Sequence, residues 1–316
     1  MTKSSRTVFI TSADSHLGHK VAERMLTGEM REYYSKVVAG CVIPDKSKDL
    51  TQLGAKVVSY DIGSLESLAD AMKGADLLLI IPPGDTRMGS LTTRMMDAGK
   101  AAKIPAMVLV SNIAVGSQQA TVGKWISMYQ DMEKHLKAQD VKEYSILRIA
   151  PLQEDLLLYA RSIQDTGTLR LPMGDGRVSP IRMIDVADFI SRALSGQGPA
   201  HEDFPPDREL NGGDEEKGDG RSETMDGKSM SKALSEATGK QVDFKDLSHQ
   251  DATDLLRKNP MLDQSEWGLM MEVWDLVRAR QLADTTPIYQ DVMDRPQLSI
   301  HGFFRENASN FAPTNM

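Results

Sequence analysis

The sequence predicts an α/β protein built on a doubly wound parallel sheet, and two observations lead to that prediction. Short apolar runs rich in β-branched residues alternate with segments that repeat apolar residues every three or four positions, the patterns of buried strands and amphipathic helices. The 316 residues are 40% hydrophobic and 26% charged, so the chain has an ordinary globular composition and can bury a large core. Alternating strands and helices form a parallel sheet covered on both faces, with a ligand-binding crevice at the carboxyl ends of its strands.

The first half of the chain, residues 1–150, is predicted to form the core around this sheet. Its opening stretch TVFITSADSHLGHKVAERML, residues 7–26, reads as a strand, a turn and a helix. The predicted strands are Thr7–Thr11, Lys36–Ile43, Lys56–Tyr60, Asp76–Ile81, Ala106–Ser111 and Tyr144–Arg148. The predicted helices between them lie in SHLGHKVAERML, SLESLADAMKG, GSLTTRMMDAGKAA and ISMYQDMEKHLKAQ.

Residues 151–316 are predicted to form a smaller C-terminal α/β lobe interleaved with the core, because the regular alternation stops after Arg148. The stretch GTLRLPMGDGRVSPIRMIDVADFISRAL reads as a strand, a glycine-rich turn, a second strand and a helix entered at Asp185. Residues Gly212–Lys228 contain almost no apolar side chains, so they are predicted to be a mobile insertion. A helix in SMSKALSEATG, a strand in KQVDFKDL and two further helical segments complete the lobe.

One of these helical segments, DQSEWGLMMEVWDLVRARQL at residues 263–282, carries an unusual apolar face. Helical spacing collects five large apolar side chains on that face, namely Trp267, Met270, Met271, Trp274 and Val277. Two interpretations stay open. The face packs on the core, or it forms a pocket wall or partner groove, because Met and Trp make adaptable contact surfaces.

Charge and cysteine content exclude several classes of protein. The formal net charge of -8, without any cluster of Lys and Arg, argues against a nucleic-acid or anionic-membrane partner. No apolar run approaches the roughly 20 residues that span a bilayer, and no secretory signal is visible, so a cytoplasmic location is expected, with a nuclear one left open. The single cysteine, Cys41, excludes an internal disulfide, and no spacing of ligand residues predicts a metal site.

Seven stretches, taken in their order and spacing, resemble the NmrA-like family of atypical short-chain dehydrogenases/reductases. They are ITSADSHLG, VSYDIGSLESLADAMKGAD, LLLIIPP, MVLVSN, EKHLKAQDVKEYSILRIAP, GTLRLPMGDGRVSPIRMIDVADFISRAL and RPQLSIHGFFRENASNF. The resemblance covers nearly the whole chain and implies a Rossmann-type domain with a lobe for substrate or partner. Members of that family are NAD(P)H-dependent reductases or catalytically silent proteins that sense dinucleotide and bind other proteins.

The resemblance also implies where a dinucleotide, NAD or NADP, would touch this chain. The contacts lie in the turn after the first strand and at the ends of the third and fourth strands. The candidate cofactor-binding residues are Thr11, Ser12, Ser15, His16, Leu17, Gly18, Asp61, Ile62, Ile81, Pro82 and Pro83.

The turn departs from the family pattern T-G-A-T-G-x-x-G. Ser12 and Ser15 replace the first two glycines, and only Gly18 is kept. The first glycine allows the tight turn, the second lets the pyrophosphate approach, and the third allows close helix–strand packing. Ser15 places a Cβ and a hydroxyl where the phosphate would lie, and the Asp14 carboxylate could cap the first helix and occupy its anion site, so weak or absent dinucleotide binding is expected.

The end of the second strand departs from the family as well. Many relatives place an arginine there that holds the 2′-phosphate of NADP, whereas this chain has Val42. Lys46 or Lys48 could reach a phosphate only as solvated point charges.

The superfamily's proton-transfer pair, a Tyr followed four residues later by a Lys, is missing. Trp125 and Tyr129 stand at the matching positions, and a register that starts at Tyr129 puts the acid Glu133 in place of the lysine. The remaining weak catalytic candidates are Tyr129, Lys124 and Ser111. Trp125 and Tyr129 are predicted to line the cleft as a recognition surface, with core packing as the alternative.

These departures favour a ligand-sensing regulatory or binding protein over an enzyme. Its expected partners are a small-molecule ligand or dinucleotide and, left open, another protein. The alternative is an NAD(P)H-dependent oxidoreductase acting on a small organic molecule, since hydride transfer does not strictly need the Tyr/Lys pair. A cofactor-free isomerase or lyase that uses the same cleft is a third hypothesis.

Overall fold

The computed structural model describes residues 6–116, 123–195, 207–211, 224–259, 262–283, 286 and 288–314. The chain divides into two compact units. The first unit comprises Met1–Asn112, Ser127–Arg148 and Val186–Arg208, and the second comprises Ile113–Ile126, Ile149–Asp185 and Glu209–Met316. The two units are of similar length. The second takes Ile113–Ile126 from the half of the chain that the sequence assigned wholly to the core, and the first takes Val186–Arg208 from the other half.

Six strands form where the sequence predicts them, each within two residues at both ends. They are β1 Arg6–Ile10, β2 Tyr34–Cys41, β3 Lys56–Ser59, β4 Leu77–Ile80, β5 Ala106–Asn112 and β6 Glu143–Ile149. With β8, Asp207–Leu210, they make a seven-stranded sheet in the order β3-β2-β1-β4-β5-β6-β8. The pairs β2–β3, β1–β2, β1–β4 and β4–β5 are parallel, which confirms the predicted fold class.

The strand order reverses between β1 and β4, and this reversal positions the candidate site. The chain runs outward from β1 through β2 to β3, then returns to the other side of β1 with β4. In open α/β sheets the connections on either side of such a switch point leave a crevice at the carboxyl ends of the two central strands. Here those ends are Ile10 of β1 and Ile80 of β4. Ile10 pairs with Leu79, the residue before Ile80.

The helices of the first half of the chain also match the prediction, with one short addition. They are α1 His16–Leu26, α2 Lys48–Leu53, α3 Leu65–Met72, α4 Met88–Ala101 and α5 Lys124–Ala138, of which only α2 was not predicted. Ser64 caps α3 by accepting a hydrogen bond from the Ser67 amide, as the Ser-rich start SLES leads one to expect. Gly54, in the left-handed region at φ 102°, ends α2.

The core of the first unit is an apolar cluster drawn from the sheet and from α3, α4 and α5. Phe9, Leu78 and Met107 contribute from three neighbouring strands, and Met95 and Leu136 contribute from two helices. Methionine is common in this cluster, since its unbranched side chain fills irregular gaps between larger groups.

Close packing of α4 on the sheet depends on a glycine. A Cβ at Gly99 would lie 2.6 Å from Leu78 Cδ2 and 2.8 Å from Met107 Cε, so a larger residue would force these two core side chains to shift.

The second unit departs from the sequence prediction in the stretch that follows β7. β7 (Thr168–Leu171) pairs in parallel with β9 (Asp243–Asp246), but the predicted second strand is reduced to isolated bridges. Val178 forms one of them with Met225, an arrangement that a glycine-rich, proline-containing segment allows without a continuous ladder.

The predicted mobile insertion falls mostly outside the described residues, since 212–223 are not among them. The last five residues of the predicted segment require a correction. Met225 is buried and bonded to Val178, and Gly227 begins α8 behind the N-cap Asp226. The apolar Met225 and this cap give the end of the segment a fixed position that its composition does not reveal.

The remaining helices are α6 Ala160–Thr166, α7 Met183–Leu194, α8 Gly227–Thr238, α9 His249–Arg257, α10 Gln264–Arg278, α11 Ile288–Met293, α12 Ile300–Glu306 and α13 Ala308–Phe311. Helix α7 begins two residues before the predicted start at Asp185. The Asp185 carboxylate is fully buried and accepts hydrogen bonds from the Tyr289 hydroxyl (2.6 Å) and the Leu298 amide (2.8 Å). It therefore anchors the C-terminal segment of the second unit.

The apolar face of α10 is core packing. Met271, Trp274 and Val277 are buried, and the Trp274 indole donates to the Tyr159 hydroxyl at 3.1 Å. Trp267 remains partly exposed under the Arg257 guanidinium, 4.6 Å from its ring centroid. Among the described residues, no helix has the length and apolarity needed to cross a bilayer, and no group of three or more potential ligand residues could hold a metal ion.

Candidate functional site

The candidate site lies at the carboxyl ends of β1 and β4, where two backbone segments are held together by a threonine. Thr11, the residue after β1, donates its hydroxyl to the Ile81 carbonyl at 3.1 Å and accepts from the Ile81 amide at 2.8 Å. Both residues are buried. Thr11 therefore closes the floor of the switch point and shapes it, with its hydroxyl turned into the protein.

Ser12 keeps the tight turn that the sequence pattern assigns to glycine. Its φ of 49° lies in the left-handed region, which a side chain disfavours and glycine enters freely. Two hydrogen bonds hold it there: its hydroxyl donates to the Ile81 carbonyl at 2.9 Å, and its amide donates to the Tyr60 hydroxyl at 3.0 Å. The Ser12 side chain is buried, with its hydroxyl bonded to the Ile81 carbonyl.

Ser15 is the N-cap of α1, a role that was not predicted from the sequence. Its backbone is extended, its hydroxyl accepts from the Gly18 amide at 3.1 Å, and it donates to the Ser12 carbonyl at 2.7 Å. Gly18 is indispensable, because a Cβ there would lie 2.2 Å from the Ser12 carbonyl oxygen. The close approach of helix and turn that a dinucleotide fold needs is thus preserved by Gly18, as predicted.

Asp14 does not cap α1, which corrects the prediction. Its Oδ2 atom instead accepts from the backbone amides of Val42 (3.0 Å) and Ile43 (2.7 Å), the first two residues beyond β2. The side chains of Val42 and Ile43 are 46% and 48% exposed, which is unusual for large apolar residues in this structure. A carboxylate consequently bridges the turn and the end of the second strand.

The two lysines near this strand end differ in their surroundings. Lys48 forms an ion pair with Asp45 at 3.0 Å, and both side chains are mostly exposed. Lys46 is also exposed. Such cations are solvated and contribute little fixed positive charge to a binding site.

The remaining predicted cofactor residues line the same edge of the sheet. His16 is exposed at the first position of α1, and Leu17 beside it is half-buried. Asp61 is exposed after β3, where its Oδ1 accepts from the Gly63 amide at 2.8 Å. Ile62, Pro82 and Pro83 are half-buried at the ends of β3 and β4.

Ser111, a weak catalytic candidate, has its hydroxyl committed to a buried ion pair. It donates to Glu133 Oε1 at 2.6 Å, and Arg148 binds the same carboxylate through Nε (2.9 Å) and Nη2 (2.6 Å). Glu133 is 4% exposed, so its carboxylate is buried together with the Arg148 guanidinium that pairs with it. The three side chains join β5, α5 and β6, and they give Ser111 a structural role in the first unit.

Trp125 is packed in the interior, which contradicts the prediction that it lines the cleft. It is 5% exposed, and a Cβ at Gly268 would lie 2.1 Å from its indole nitrogen, so the ring rests directly on α10. Lys124 stays exposed, with its ammonium 4.4 Å from the Trp125 ring centroid.

Tyr129 lies one turn further along α5 and packs against the apolar core cluster of the first unit. Burial raises the pKa of its phenol to about 12, so it is a weak acid and cannot act as a base at neutral pH. The position four residues after Tyr129 on α5, where the pair would have its lysine, is Glu133.

Two residues of interest were not predicted from the sequence. Tyr60 follows β3, and its hydroxyl accepts a hydrogen bond from the Ser12 amide. The pairing of β2 with β3 brings Tyr60 to this turn. Asp155 belongs to the second unit and lies in the segment that follows β6. Burial raises the pKa of its carboxyl to about 7. A lone Asp in QEDLLLY gives no signal of this, because burial is a tertiary property.

Comparisons with known proteins place this geometry in a family context. Residues 13–197 match the family described as NAD(P)H-binding. The chain is 22% identical over 271 residues to an NAD(P)H azoreductase of Xenophilus azovorans, covering 84% of this chain and 87% of that protein. It is 25% identical over 192 residues to quinone oxidoreductase 2 of Escherichia coli (strain K12), covering 60% of this chain and 65% of that protein.

Solved structures give the same fold at low identity. The NADPH complex of an NADPH-dependent quinone oxidoreductase from Escherichia coli has a TM-score of 0.77 at 22% identity, over 96% of this chain and 98% of that one. A Citrobacter sp. triphenylmethane reductase complexed with NADP(H) has a TM-score of 0.76 at 16% identity, over 96% and 99% of the two chains. The solved structures confirm the fold, the family match over residues 13–197 confirms the predicted NAD(P)-binding superfamily, and the narrower NmrA-like assignment stays a prediction.

Proposed function

The chain belongs to the NAD(P)H-binding protein family, and on that premise we propose that it is an NAD(P)H-dependent oxidoreductase that reduces a small conjugated organic molecule. The observation that carries the proposal is the shape of the turn between β1 and α1. Ser12 adopts the left-handed backbone of the glycine it replaces, and its hydroxyl faces the Ile81 carbonyl. The expected obstruction of the turn is therefore smaller than the two missing glycines suggest.

Two features at the start of α1 favour a dinucleotide pyrophosphate. The Ser15 hydroxyl caps the amide of Gly18, while the amides of His16 and Leu17 precede it in the first turn. Backbone amides at a helix N-terminus and the helix dipole together favour a phosphate group. Gly18 supplies the close packing that brings these amides to the end of β1.

The proposed substrate class follows from the missing Tyr/Lys pair, the superfamily's usual proton donor. When bound, the dinucleotide supplies a hydride. Reduction of a simple ketone then develops an alkoxide that needs a positioned proton donor, and Tyr129, packed against the apolar core cluster with Glu133 in place of the lysine of the pair, lacks the cation that would activate it for this role. A conjugated acceptor such as a quinone or an azo compound spreads the developing charge and takes its proton from water. Two of the relatives, an NAD(P)H azoreductase and a quinone oxidoreductase, are named for acceptors of this kind.

The proposal is tested by binding and turnover measured separately. We expect NADH or NADPH to bind in a fluorescence titration, and its oxidation to be faster with a benzoquinone or an azo dye than with a simple ketone. Tyr129→Phe should change turnover by no more than a few-fold, whereas loss of about a hundredfold would identify Tyr129 as a general acid.

A pair of variants at His16 locates the dinucleotide. His16→Glu places an anion where the pyrophosphate would lie and should weaken dinucleotide binding by about tenfold. The helix itself should not be destabilised, because an acid in the first turn interacts favourably with the helix dipole. His16→Gln, its neutral counterpart, should bind nearly as the unmodified protein does. Dinucleotide binding without turnover of any acceptor would overturn the enzyme proposal and favour the ligand-sensing role.

A further inference from the structure

We propose that Asp14 makes this protein select the unphosphorylated dinucleotide, NADH, over NADPH. The inference rests on the dinucleotide binding proposed above and adds to it the choice between two cofactors. It concerns a residue in the turn itself, outside the strand end from which sequence patterns normally read this choice.

The position of the Asp14 carboxylate is fixed by the two amides that it accepts. Val42 and Ile43 donate to the same oxygen at 3.0 and 2.7 Å, so the carboxylate lies directly against the end of β2. In dinucleotide-binding folds this strand end faces the 2′ position of the adenosine ribose: an acid there binds the ribose hydroxyl, and an arginine binds a 2′-phosphate. Asp14 supplies the acid from the turn, and its Oδ1 can accept from a ribose hydroxyl.

The same contacts remove what a 2′-phosphate would need. The two amides that could donate to an anion at this strand end already donate to Asp14. A phosphate monoester carries a charge of about −1.5 to −2 at neutral pH, so it would meet a carboxylate held in place by hydrogen bonds. Repulsion between such close like charges strongly disfavours the phosphorylated ligand.

The surrounding loop does not compensate for this charge. Residues 42–49, VIPDKSKD, contain no arginine, and Lys48 is paired with Asp45 at 3.0 Å. Asp49 adds a further acid, held by His19 at 2.9 Å. Lys46 is left as an exposed, hydrated cation without the rigid fork that grips a phosphate.

The first test uses the unmodified protein. The dissociation constants of NADH and NADPH are measured by fluorescence titration or calorimetry at low and high salt. We expect NADH to bind at least about tenfold more tightly at low salt, and this ratio to fall as salt screens the repulsion. NADPH binding as tight as NADH binding would overturn the inference and leave the proposed function standing. A protein that binds neither would overturn both.

The second test changes the charge alone. Asp14→Asn keeps the shape and one acceptor oxygen, and it should tighten NADPH binding by about tenfold while NADH binding changes by less than about threefold. Asp45→Asn removes the same charge from the exposed loop and should alter the ratio far less. An unchanged ratio in a folded Asp14→Asn protein would overturn the inference. Should that variant fail to fold, the ratio and salt dependence of the unmodified protein decide.

Discussion

Single residues in the first turn show how serine can replace glycine without loss of the turn. The left-handed backbone of Ser12 costs on the order of 1–2 kcal/mol relative to an ordinary conformation. Its two buried hydrogen bonds, to the Ile81 carbonyl and from its amide to Tyr60, each contribute about 0.5–1.5 kcal/mol and offset this cost. The turn is thus stable with Ser12, although glycine would form it with less strain.

Ser15 contributes to stability as a helix cap, which leads to a graded prediction. Ser15→Ala should lower the free energy of unfolding by about 1 kcal/mol because the Gly18 amide loses its acceptor, whereas Ser15→Gly should lower it by only a few tenths. Urea denaturation measures both changes. Ser90→Ala, at an exposed position of α4, is the control and should be nearly neutral. Equal losses for Ala and Gly would show that the cap is not the source of the effect.

Asp155 leads to a prediction on pH dependence. Burial raises the pKa of this carboxyl from 3.8 to about 7, so between these values the folded state binds more protons than the unfolded state. The free energy of unfolding therefore decreases as pH rises from about 4 to about 7, because the buried group must then become charged. Asp155→Asn should remove this part of the decrease in urea unfolding curves measured across that range.

The matched control for Asp155 is Asp165→Asn, which removes an acid from an exposed ion pair with Arg161 on α6. This control should keep the pH dependence of the unmodified protein. Identical slopes in all three proteins would show that Asp155 titrates normally in the folded state.

At the scale of elements, the start of α5 depends on a residue far away in sequence. Glu272 of α10 accepts from the Trp125 amide at 3.0 Å and from the Ile126 amide at 2.8 Å, so its carboxylate caps the helix. Gly123 makes room for it, since a Cβ there would lie 2.1 Å from the carboxyl carbon. The negative charge also interacts favourably with the dipole of α5.

Removal of this tertiary cap should destabilise the protein measurably. Glu272→Ala leaves two amides without their acceptor and should lower the free energy of unfolding by about 1–3 kcal/mol, with Glu272→Gln intermediate. Glu236→Ala, an exposed acid on α8 that is 3.9 Å from Lys232, should change stability by less than about 0.5 kcal/mol. Chemical denaturation of the three variants checks the order. A Glu272→Ala protein as stable as the control would refute the capping role.

At the scale of the whole molecule, the order of the strands brings the site together. The turn after β1, the end of β2 and the end of β4 are separated by some thirty to seventy positions in sequence, yet Thr11 bonds Ile81 and Asp14 bonds Val42. Parallel pairing places all carboxyl ends on one edge, and the switch point keeps that edge open between β1 and β4. The effect of the serines and of Asp14 on the turn therefore depends on contacts with residues that are remote in sequence.

The amino-acid pattern alone was sufficient to predict the parallel sheet, six strands within two residues, the third glycine of the turn and the missing Tyr/Lys pair. Each depends on local periodicity, on spacing, or on the presence of a residue type, which a sequence displays directly. The pattern could not show whether a serine side chain enters the crevice or turns beneath it, because backbone conformation and distant acceptors such as Ile81 settle that.

Only the tertiary structure decided the placement of side chains whose partners lie far away in the chain. Trp125 is buried because Gly268 of α10 admits its ring, and Ser111 is occupied because Glu133 and Arg148 meet it across three elements. Asp14 reads as a helix cap in sequence, but the amides at the end of β2 are within its reach and bind it instead. Hydrogen bonds and desolvation depend on distances of a few ångströms, and the fold alone sets those distances for residues remote in sequence.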